Sequence, residues 1–547
     1  MHLTFKYFFF FSLGFLFTLA CGRHQQANET RKVFRYNEAT GISSLDPAFA
    51  KDLSNLWAVN QVFNGLVQLN DRLQVEPCIA HSWEITGDGR IYTFHLRNDV
   101  RFHDHLVFEQ GRGRVVTASD VEYSFRRLAD PGVASPGAWV FHHVATVGDE
   151  PSFATIDDST FRIVLSQPFP PFLGLLCMQY CSVVPREAVE YFGPDFRRNP
   201  VGTGPFKFSY WKEGVKLVLV KNPAYFEIID NQRLPYIDAV AVTFLIDKQS
   251  AFLEFVKGNV DFLSGLDPGY KDHLITPEGQ LNPDYADRFK MLTMPYLNTE
   301  YLGFLLDTVS KGPVADPLQI PGVRQAMNIG FDRIKMIRYL RNNIGTPGIY
   351  GIIPPGMPSF DSVGMAGYSY DPAKARRLLK EAGYPNGEGL PDVTLTTTAD
   401  YVDLCKFIQS QLAEIGFRIR IDVTPPATIR ELKAQAKLPF FRASWIADYP
   451  DEENYLSLFY SKNFCPGGPN YTHFASDEFD ALYERALREE NDSLRLVFYR
   501  EMNQIVMRES PVIILYYDRV LRFVQKNVEG IGINPINLLT LKYVTIQ

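Results

Sequence analysis

The chain is expected to fold as an α/β protein of two or three interleaved domains behind an N-terminal export signal. Three observations carry that expectation. Its 547 residues exceed the roughly 250–300 at which a single hydrophobic core stops growing. Short alternating strand patterns mix with capped amphipathic helices throughout, with no fixed repeat period. Composition does not shift sharply at any point, so no linker separates independent beads.

The first element is the signal. Residues 1–20 carry only His2 and Lys6 as basic groups, then an uncharged run from Tyr7 to Ala20, and Cys21-Gly22 follow. A bilayer core about 30 Å thick takes roughly 20 apolar residues to cross as a helix. This run is shorter and ends in the small residue a signal peptidase needs, so residues 1–20 read as an export signal rather than a permanent span. Cys21 sits as in a bacterial lipoprotein signal, where the thiol is acylated and becomes the new N-terminus. Thr18 stands where leucine is usual, and an ordinary signal peptide with a chance cysteine is the alternative. Residues 21–31 would then be the lipidated cysteine and a polar tether. On both readings the body works outside the cytoplasm.

Within the body, Val33-Phe-Arg-Tyr36, Ile91-Tyr-Thr-Phe-His-Leu96, Phe161-Arg-Ile-Val-Leu165 and Lys216-Leu-Val-Leu-Val220 alternate as strands do. A helix over 372–382 has Asp371 as N-cap, Pro372 at its first position and Gly383 at its end. A second runs over 404–415, closed by Gly416 and followed by a strand over 417–423. Two more cover 479–488 and 494–509, the latter stopped by Pro511. Proline and glycine cluster at 199–205, 345–358 and 466–469, marking loops or hinges.

Several function classes drop out. The net charge of −7 without a basic block argues against nucleic acid. Five cysteines after Cys21 make no disulfide scaffold, and Cys177 and Cys181 are open to either bridging or burial. A Walker A loop, a Gly-x-Ser-x-Gly elbow and a His-Glu-x-x-His pair are all missing. His103-Asp104-His105 and His142-His143 lack a third ligand at metal spacing and read as structural or surface groups. The acidic group Asp448, Asp451, Glu452 and Glu453 lacks the alternating oxygen ligands of a calcium loop and reads as a solvated loop. No cofactor or metal is expected.

Separated segments, read in order, carry a resemblance. They are Ser43-Ser-Leu-Asp-Pro-Ala48, Asn60-Gln-Val-Phe-Asn-Gly-Leu-Val67, Pro77-Cys-Ile-Ala-His-Ser-Trp-Glu84, the 88–104 stretch and Val116-Thr-Ala-Ser-Asp-Val-Glu-Tyr-Ser-Phe-Arg126. Pro200-Val-Gly-Thr-Gly-Pro-Phe206, Asn222-Pro-Ala-Tyr-Phe226, Val323-Arg-Gln-Ala-Met327, the 371–384 helix and Ala443-Ser-Trp-Ile-Ala-Asp-Tyr-Pro450 complete the series. Together they resemble the extracytoplasmic solute-binding proteins of ABC transporters for oligopeptides and dipeptides, family 5. The resemblance implies a periplasmic-binding-protein-like (type II) fold in its three-domain peptide-binding variant. Domain I would take 32–69, 193–297 and 518–547, domain II 70–192, and domain III 298–517. It also implies a monomeric receptor without enzymatic activity, working with ABC permease subunits and held to a membrane by the lipid on Cys21. The segment 105–115 is longer than the family's usual turn and reads as a surface loop.

The resemblance further implies a peptide site. Asp448 would pair with the ligand's α-ammonium through short charge-assisted bonds. Ala443, Ser444, Trp445 and Ile446 would form an edge strand that pairs with the peptide backbone. Trp57, Ala58 and Val59 would face it from the other lobe. Arg442 and Lys433 are candidates for the peptide carboxylate. A salt bridge to the acidic loop is the alternative for Arg442, and a structural role the alternative for Lys433. Trp445 and Trp139 either line side-chain pockets or belong to the core. Two rival functions remain: a same-fold receptor for a nickel chelate, haem, sugar or signalling peptide, and an exported hydrolase.

Overall fold

A mixed sheet of eleven strands runs through most of the molecule. The computed structural model describes residues 31–306, 316–365 and 367–547; Cys21 and the export signal lie outside the described residues. The sheet's path is Phe206–Lys212, Lys216–Lys221, Ala239–Thr243, Val33–Asn37, Phe262–Ser264, Val512–Gln525, Phe289–Phe304, Phe440–Ile446, Val393–Thr397 and Ile419–Val423, with Thr346–Pro347 paired to Val512–Gln525. Val33–Asn37 runs parallel to Ala239–Thr243, and Val393–Thr397 runs parallel to Ile419–Val423.

Two long antiparallel strands, Phe289–Phe304 and Val512–Gln525, join the halves of this sheet. Three hydrophobic clusters pack around it. One gathers residues between Phe34 and Leu292 with Leu521–Val544. The other two lie between Leu297 and Tyr517. Along a strand, neighbouring side chains point to opposite faces. Tyr301, Phe441 and Ile514 accordingly enter one of these clusters, and Leu302, Phe440 and Ile513 the other. The changeover falls near 292–297 and 517–521. There the pairing register shifts between Pro295 and Thr299, and Asp518 and Arg519 interrupt the buried run of the second strand. Asp518 pairs with Arg341.

Residues 80–164 build a separate four-stranded antiparallel sheet, ordered Ala80–Ile85, Ile91–Leu96, Thr160–Val164, Phe153–Asp157. The strands read at 33–36, 91–96, 161–165 and 216–220 are present within a residue or two. Helices form at Pro372–Glu381, Val402–Ala413, Asp477–Ala486 and Asp492–Glu509. Asp371 accepts the Lys374 N–H (2.8 Å) as its cap. The helix read from Phe479 begins at Asp477, because Ser476 is the residue whose side chain caps it. Cys177 and Cys181 are both free thiols. The 105–115 loop is only partly exposed and is tied to the body. Phe108 is buried and stacks on Phe102, and Arg114 bonds Asp120 and Glu187.

The Gly202-Thr203-Gly204 segment packs tightly on the end of the Leu53–Val62 helix. A Cβ on Gly202 would lie 2.1 Å from the Val62 carbonyl oxygen, and one on Gly204 2.4 Å from the Val62 carbonyl carbon. Only glycine lets this loop close on the end of the Leu53–Val62 helix, where the Gly204 N–H donates to Val62 O (2.8 Å). His103 holds the same loop from behind, bonded to Gly204 O at 2.9 Å. Burial pushes its imidazole down to about 4, so it is a neutral structural group. His143 is likewise stacked on Phe169 at 3.8 Å.

Candidate functional site

The Phe440–Ile446 strand presents an open backbone edge. It pairs with Phe289–Phe304 along its whole length. Leu305 N–H donates to Pro439 O (3.0 Å) and Ala447 N–H to Leu297 O (2.9 Å). In an antiparallel ladder the bonded pairs alternate. Phe441, Ala443 and Trp445 therefore turn their backbone groups toward Phe289–Phe304, while Arg442, Ser444 and Ile446 turn theirs away. On that far side Val393–Thr397 touches the strand only where Thr396 meets Phe441. Among the described residues no strand lies beyond Ser444 and Ile446.

Two residues past this strand stands Asp448. Its side chain is reached by water, yet it sits in a cleft whose walls strip most of its hydration. Burial raises its carboxyl to about 6, against a hydrogen bond from the Asn454 side chain that favours the ionised form. Asn454 holds the whole turn: its Oδ1 accepts the Asp448 backbone N–H (3.2 Å) and the Trp445 indole N–H (2.8 Å). Trp445 is half-buried and packs against one core cluster while its indole N–H is committed to Asn454. Asp448 also lines a cavity of about 400 Å³, together with Asn60, Gln61 and Asn64 from the end of the Leu53–Val62 helix and the residues after it.

The opposite wall differs from the sequence reading. Trp57, Ala58 and Val59 lie inside the Leu53–Val62 helix and are 5 %, 0 % and 0 % exposed. Trp57 donates its indole N–H to Asn537 O (2.8 Å) and packs edge-on against Tyr36 and Phe262. These three residues form core, because the apolar face of that helix turns to the sheet and its polar end turns to the cleft. Asn60, Gln61 and Asn64, at the polar end of this segment, are the residues that share a cavity with Asp448. Burial raises the Tyr180 phenol first, and the charges of Asp448 and Asp52 then add to it, so both carboxylates lie near this one ring. Asp52 and Glu38 line a further cavity of about 550 Å³ with Arg430. Trp139 is half-buried with its ring 6.3 Å from that of Tyr449, beside Asp448.

At the other end of the strand Arg442 is buried and paired with Glu300, its guanidinium 3.3 Å from the centre of the Tyr401 ring. Burial is the largest single influence and lowers its pKa, but the Glu300 charge and hydrogen bond together with the Tyr401 and Tyr516 phenols outweigh it and keep the guanidinium cationic. The bridge to the acidic loop considered from the sequence is not formed; Glu300 faces Ser444 across the ladder and meets Arg442 diagonally. Arg442 Nε is buried without a hydrogen-bond partner. Lys433, on the Pro426–Ala434 helix, lies over the Tyr471 ring at 4.2 Å. Burial, with Arg442 and Arg430 adding to it, pushes its ammonium down to about 8. Among the described residues no carboxylate pairs with Lys433.

The acidic group after Asp448 is not a solvated loop. Asp451, Glu452 and Glu453 are buried. Asp451 accepts the Tyr499 hydroxyl (2.7 Å), Glu452 the Ser359 N–H (2.7 Å), and Glu453 the hydroxyls of Tyr449 and Tyr483. Phenols brought in from two distant helices satisfy these carboxylates, which local sequence does not announce. Burial raises Glu453 to about 7. Glu300 and Tyr180 escaped sequence reading for the same reason. The polar cluster of Asn60 and Gln61 in the last turn of that helix, with Asn64 just past it, was a usable signal.

The mixed α/β architecture is that of the type II periplasmic-binding class. The chain belongs to the bacterial extracellular solute-binding proteins, family 5, whose middle region matches residues 74–464. It is 26% identical over 502 residues to the glutathione-binding protein GsiB of Salmonella choleraesuis (strain SC-B67), covering 91% of each chain. It is similar to the periplasmic binding protein DppA from Helicobacter pylori in complex with peptide STSA, with TM-score 0.78, 26% identity, and 94% and 98% of the two chains covered. Haemophilus influenzae OppA in complex with RPPGFSPFR shares the fold, with TM-score 0.75, 21% identity, and 94% and 99% covered. Members of the family are extracytoplasmic receptors of ABC importers, not enzymes.

Proposed function

We propose that this protein captures peptides bearing a free α-ammonium in its interlobe cleft and delivers them to an ABC permease. The observation that carries the reading is the water-reached Asp448 carboxylate beside the open edge at Ser444 and Ile446. The ammonium would pair with Asp448, and the peptide backbone would add to the sheet edge as a further strand. Neither contact reads side chains, so affinity comes without sequence specificity. Arg442 is committed to Glu300 and would act through that pair, whereas Lys433 is a cation free to meet the ligand's carboxylate. Lobe I would comprise 32–69, 193–297 and 518–547, with 70–192 packed on it and 298–517 as the facing lobe. One of the three hydrophobic clusters falls wholly within that last range, and a second does so but for Leu297, Leu73 and Ile536. Acylated Cys21 would keep the receptor at the membrane surface near its permease.

Isothermal titration with a tripeptide and its N-acetylated form tests the reading. Binding in the nanomolar-to-micromolar range, about −12 to −8 kcal/mol, is expected for the free amine and none for the acetylated form. Asp448→Ala should abolish binding of the free-amino peptide. Equal affinity for the two forms would remove the ammonium pairing. Mass spectrometry of ligands co-purifying with the protein separates a peptide from glutathione, which GsiB is named for, and from a non-peptide ligand.

A further inference from the structure

Tyr449 crosses from one proposed lobe into the other. Its neighbours Ala447 and Tyr455 belong to a cluster whose buried members run from Leu297 to Tyr517. Tyr449 itself is 4 % exposed and packs in the cluster built mainly on residues 34–289. Of the described residues 298–517, only Tyr449 and Ile344 are buried members of that cluster. Its socket there is Trp139, at 6.3 Å between ring centres, and Gly174, where a Cβ would stand 3.4 Å from Pro450 Cδ and 3.5 Å from the Tyr449 Cβ. The Tyr449 hydroxyl turns back to its own lobe and donates to Glu453, whose other carboxylate oxygen accepts the Tyr483 hydroxyl. Tyr483 is clamped in turn, its ring stacked on that of Tyr460 at 4.4 Å. Glu453 is 5 % exposed, and among the described residues no cation pairs with it. Hydrophobic packing alone needs neither this hydroxyl nor this acid. Burying the Tyr449 ring favours closure, but burying its hydroxyl unpaired would oppose it. An acceptor already fixed in the same lobe removes that cost and holds the ring in one orientation before the lobes meet. Neither the ammonium pairing at Asp448 nor the open strand edge uses either residue.

Resting on the peptide reading above, we propose that Tyr449 latches the cleft shut over the bound ligand, with Glu453 as the positioning residue that holds its hydroxyl. With the lobes apart the ring stands in water beside Asp448. As they close it enters the facing cluster between Trp139 and Gly174. The latch contributes to the closed state only, so it slows the ligand's escape and leaves its arrival unchanged.

Stopped-flow kinetics of the full-length protein with the tripeptide Ala-Ala-Ala test this. Tyr449→Leu keeps an apolar side chain but loses the ring; it should release the peptide about tenfold faster, with association within about twofold of the parent. Glu453→Gln should release it about threefold faster. That variant should melt no lower than the parent, since burial raises the Glu453 carboxyl and the amide carries no charge to desolvate. In the Tyr449→Phe background the hydroxyl is gone, and Glu453→Gln should then change release by less than about 1.5-fold. Parental release from a folded Tyr449→Leu protein, or slower association in place of faster release, overturns the latch. Parental release from Glu453→Gln, an effect that persists in the Tyr449→Phe background, or one that comes with a lower melting temperature overturns the positioning role. If the parent binds no tripeptide, the peptide reading fails. The same variants are then read on the ligand that co-purifies, so the two failures stay apart.

Discussion

At Asp448 two effects oppose each other. Loss of hydration favours the neutral acid, and the Asn454 side chain favours the carboxylate; the balance leaves the group near 6. The carboxylate is the form that pairs with an ammonium, so affinity should be level above about pH 6 and fall about tenfold per unit below it. Asn454→Ala removes the bond that lowers the pKa, and the midpoint of that fall should move up by about one pH unit. Titrations between pH 5 and 8 check this, and an unmoved midpoint would leave Asn454 as mere scaffold. The same shift has a consequence for stability. A carboxyl raised in the folded state binds its proton more tightly there than in the unfolded chain. The charged form therefore works against folding at neutral pH, and ligand-free stability gains from this group as the pH drops from about 6 toward 4. Asp448→Asn should raise the ligand-free Tm at pH 7.5 while destroying binding, a trade that binding sites commonly make. A lower Tm in that variant would mean that Asp448 is satisfied within the protein rather than waiting for a partner.

At the scale of elements, the Phe440–Ile446 strand is half ladder and half open edge. Proline at Ile446 removes an N–H on the open side only, at the strand's end and on a residue whose side chain is 40 % exposed. Proline is tolerated on edge strands where no ladder bond is lost. Ile446→Pro should thus melt close to the parent yet bind peptide about five- to tenfold more weakly, the worth of one net hydrogen bond. Full affinity in a folded Ile446→Pro protein would rule out backbone pairing at that position. The helices were legible in their caps, as at Asp371, because a capping side chain and its target lie within one turn. The long strands Phe289–Phe304 and Val512–Gln525 were not. Polar residues such as Asn298, Thr299 and Glu300 are buried in the first of them, so no apolar alternation marks it. Trp57–Val59 misled for the converse reason. Large apolar residues near a motif read equally as ligand contacts or as core, and only the neighbouring rings of Tyr36 and Phe262 decide for core.

For the molecule as a whole, two strands cross between the proposed lobes, and side chains meet across the cleft. Trp139 faces Tyr449, and a Cβ on Gly174 would stand 3.5 Å from that of Tyr449. Lys248 lies 3.8 Å from Asp400 in a further contact between the proposed lobes. Such contacts are those of a closed cleft, and a ligand that bridges the walls shifts the population toward it. Small-angle scattering should show a smaller radius of gyration with saturating peptide than without. An unchanged radius alongside tight binding would remove closure from the account.

The sequence by itself determined the mixed α/β class, the cap-defined helices, the family and the place of Asp448 in a strand–turn motif. Each of these is written in residues close together in the chain, or in ordered segments that survive as patterns. Only the tertiary structure decided what surrounds Asp448. Asn454 orients it, Glu300 claims Arg442, Lys433 has no carboxylate partner among the described residues, and residues of the 60–76 and 536–543 segments line the cavity beside it. Asn454 is only six residues from Asp448, but Glu300 comes from another strand 142 residues from Arg442. Charge state, pairing and cavity shape depend on distances in space, which the order of residues along the chain does not record.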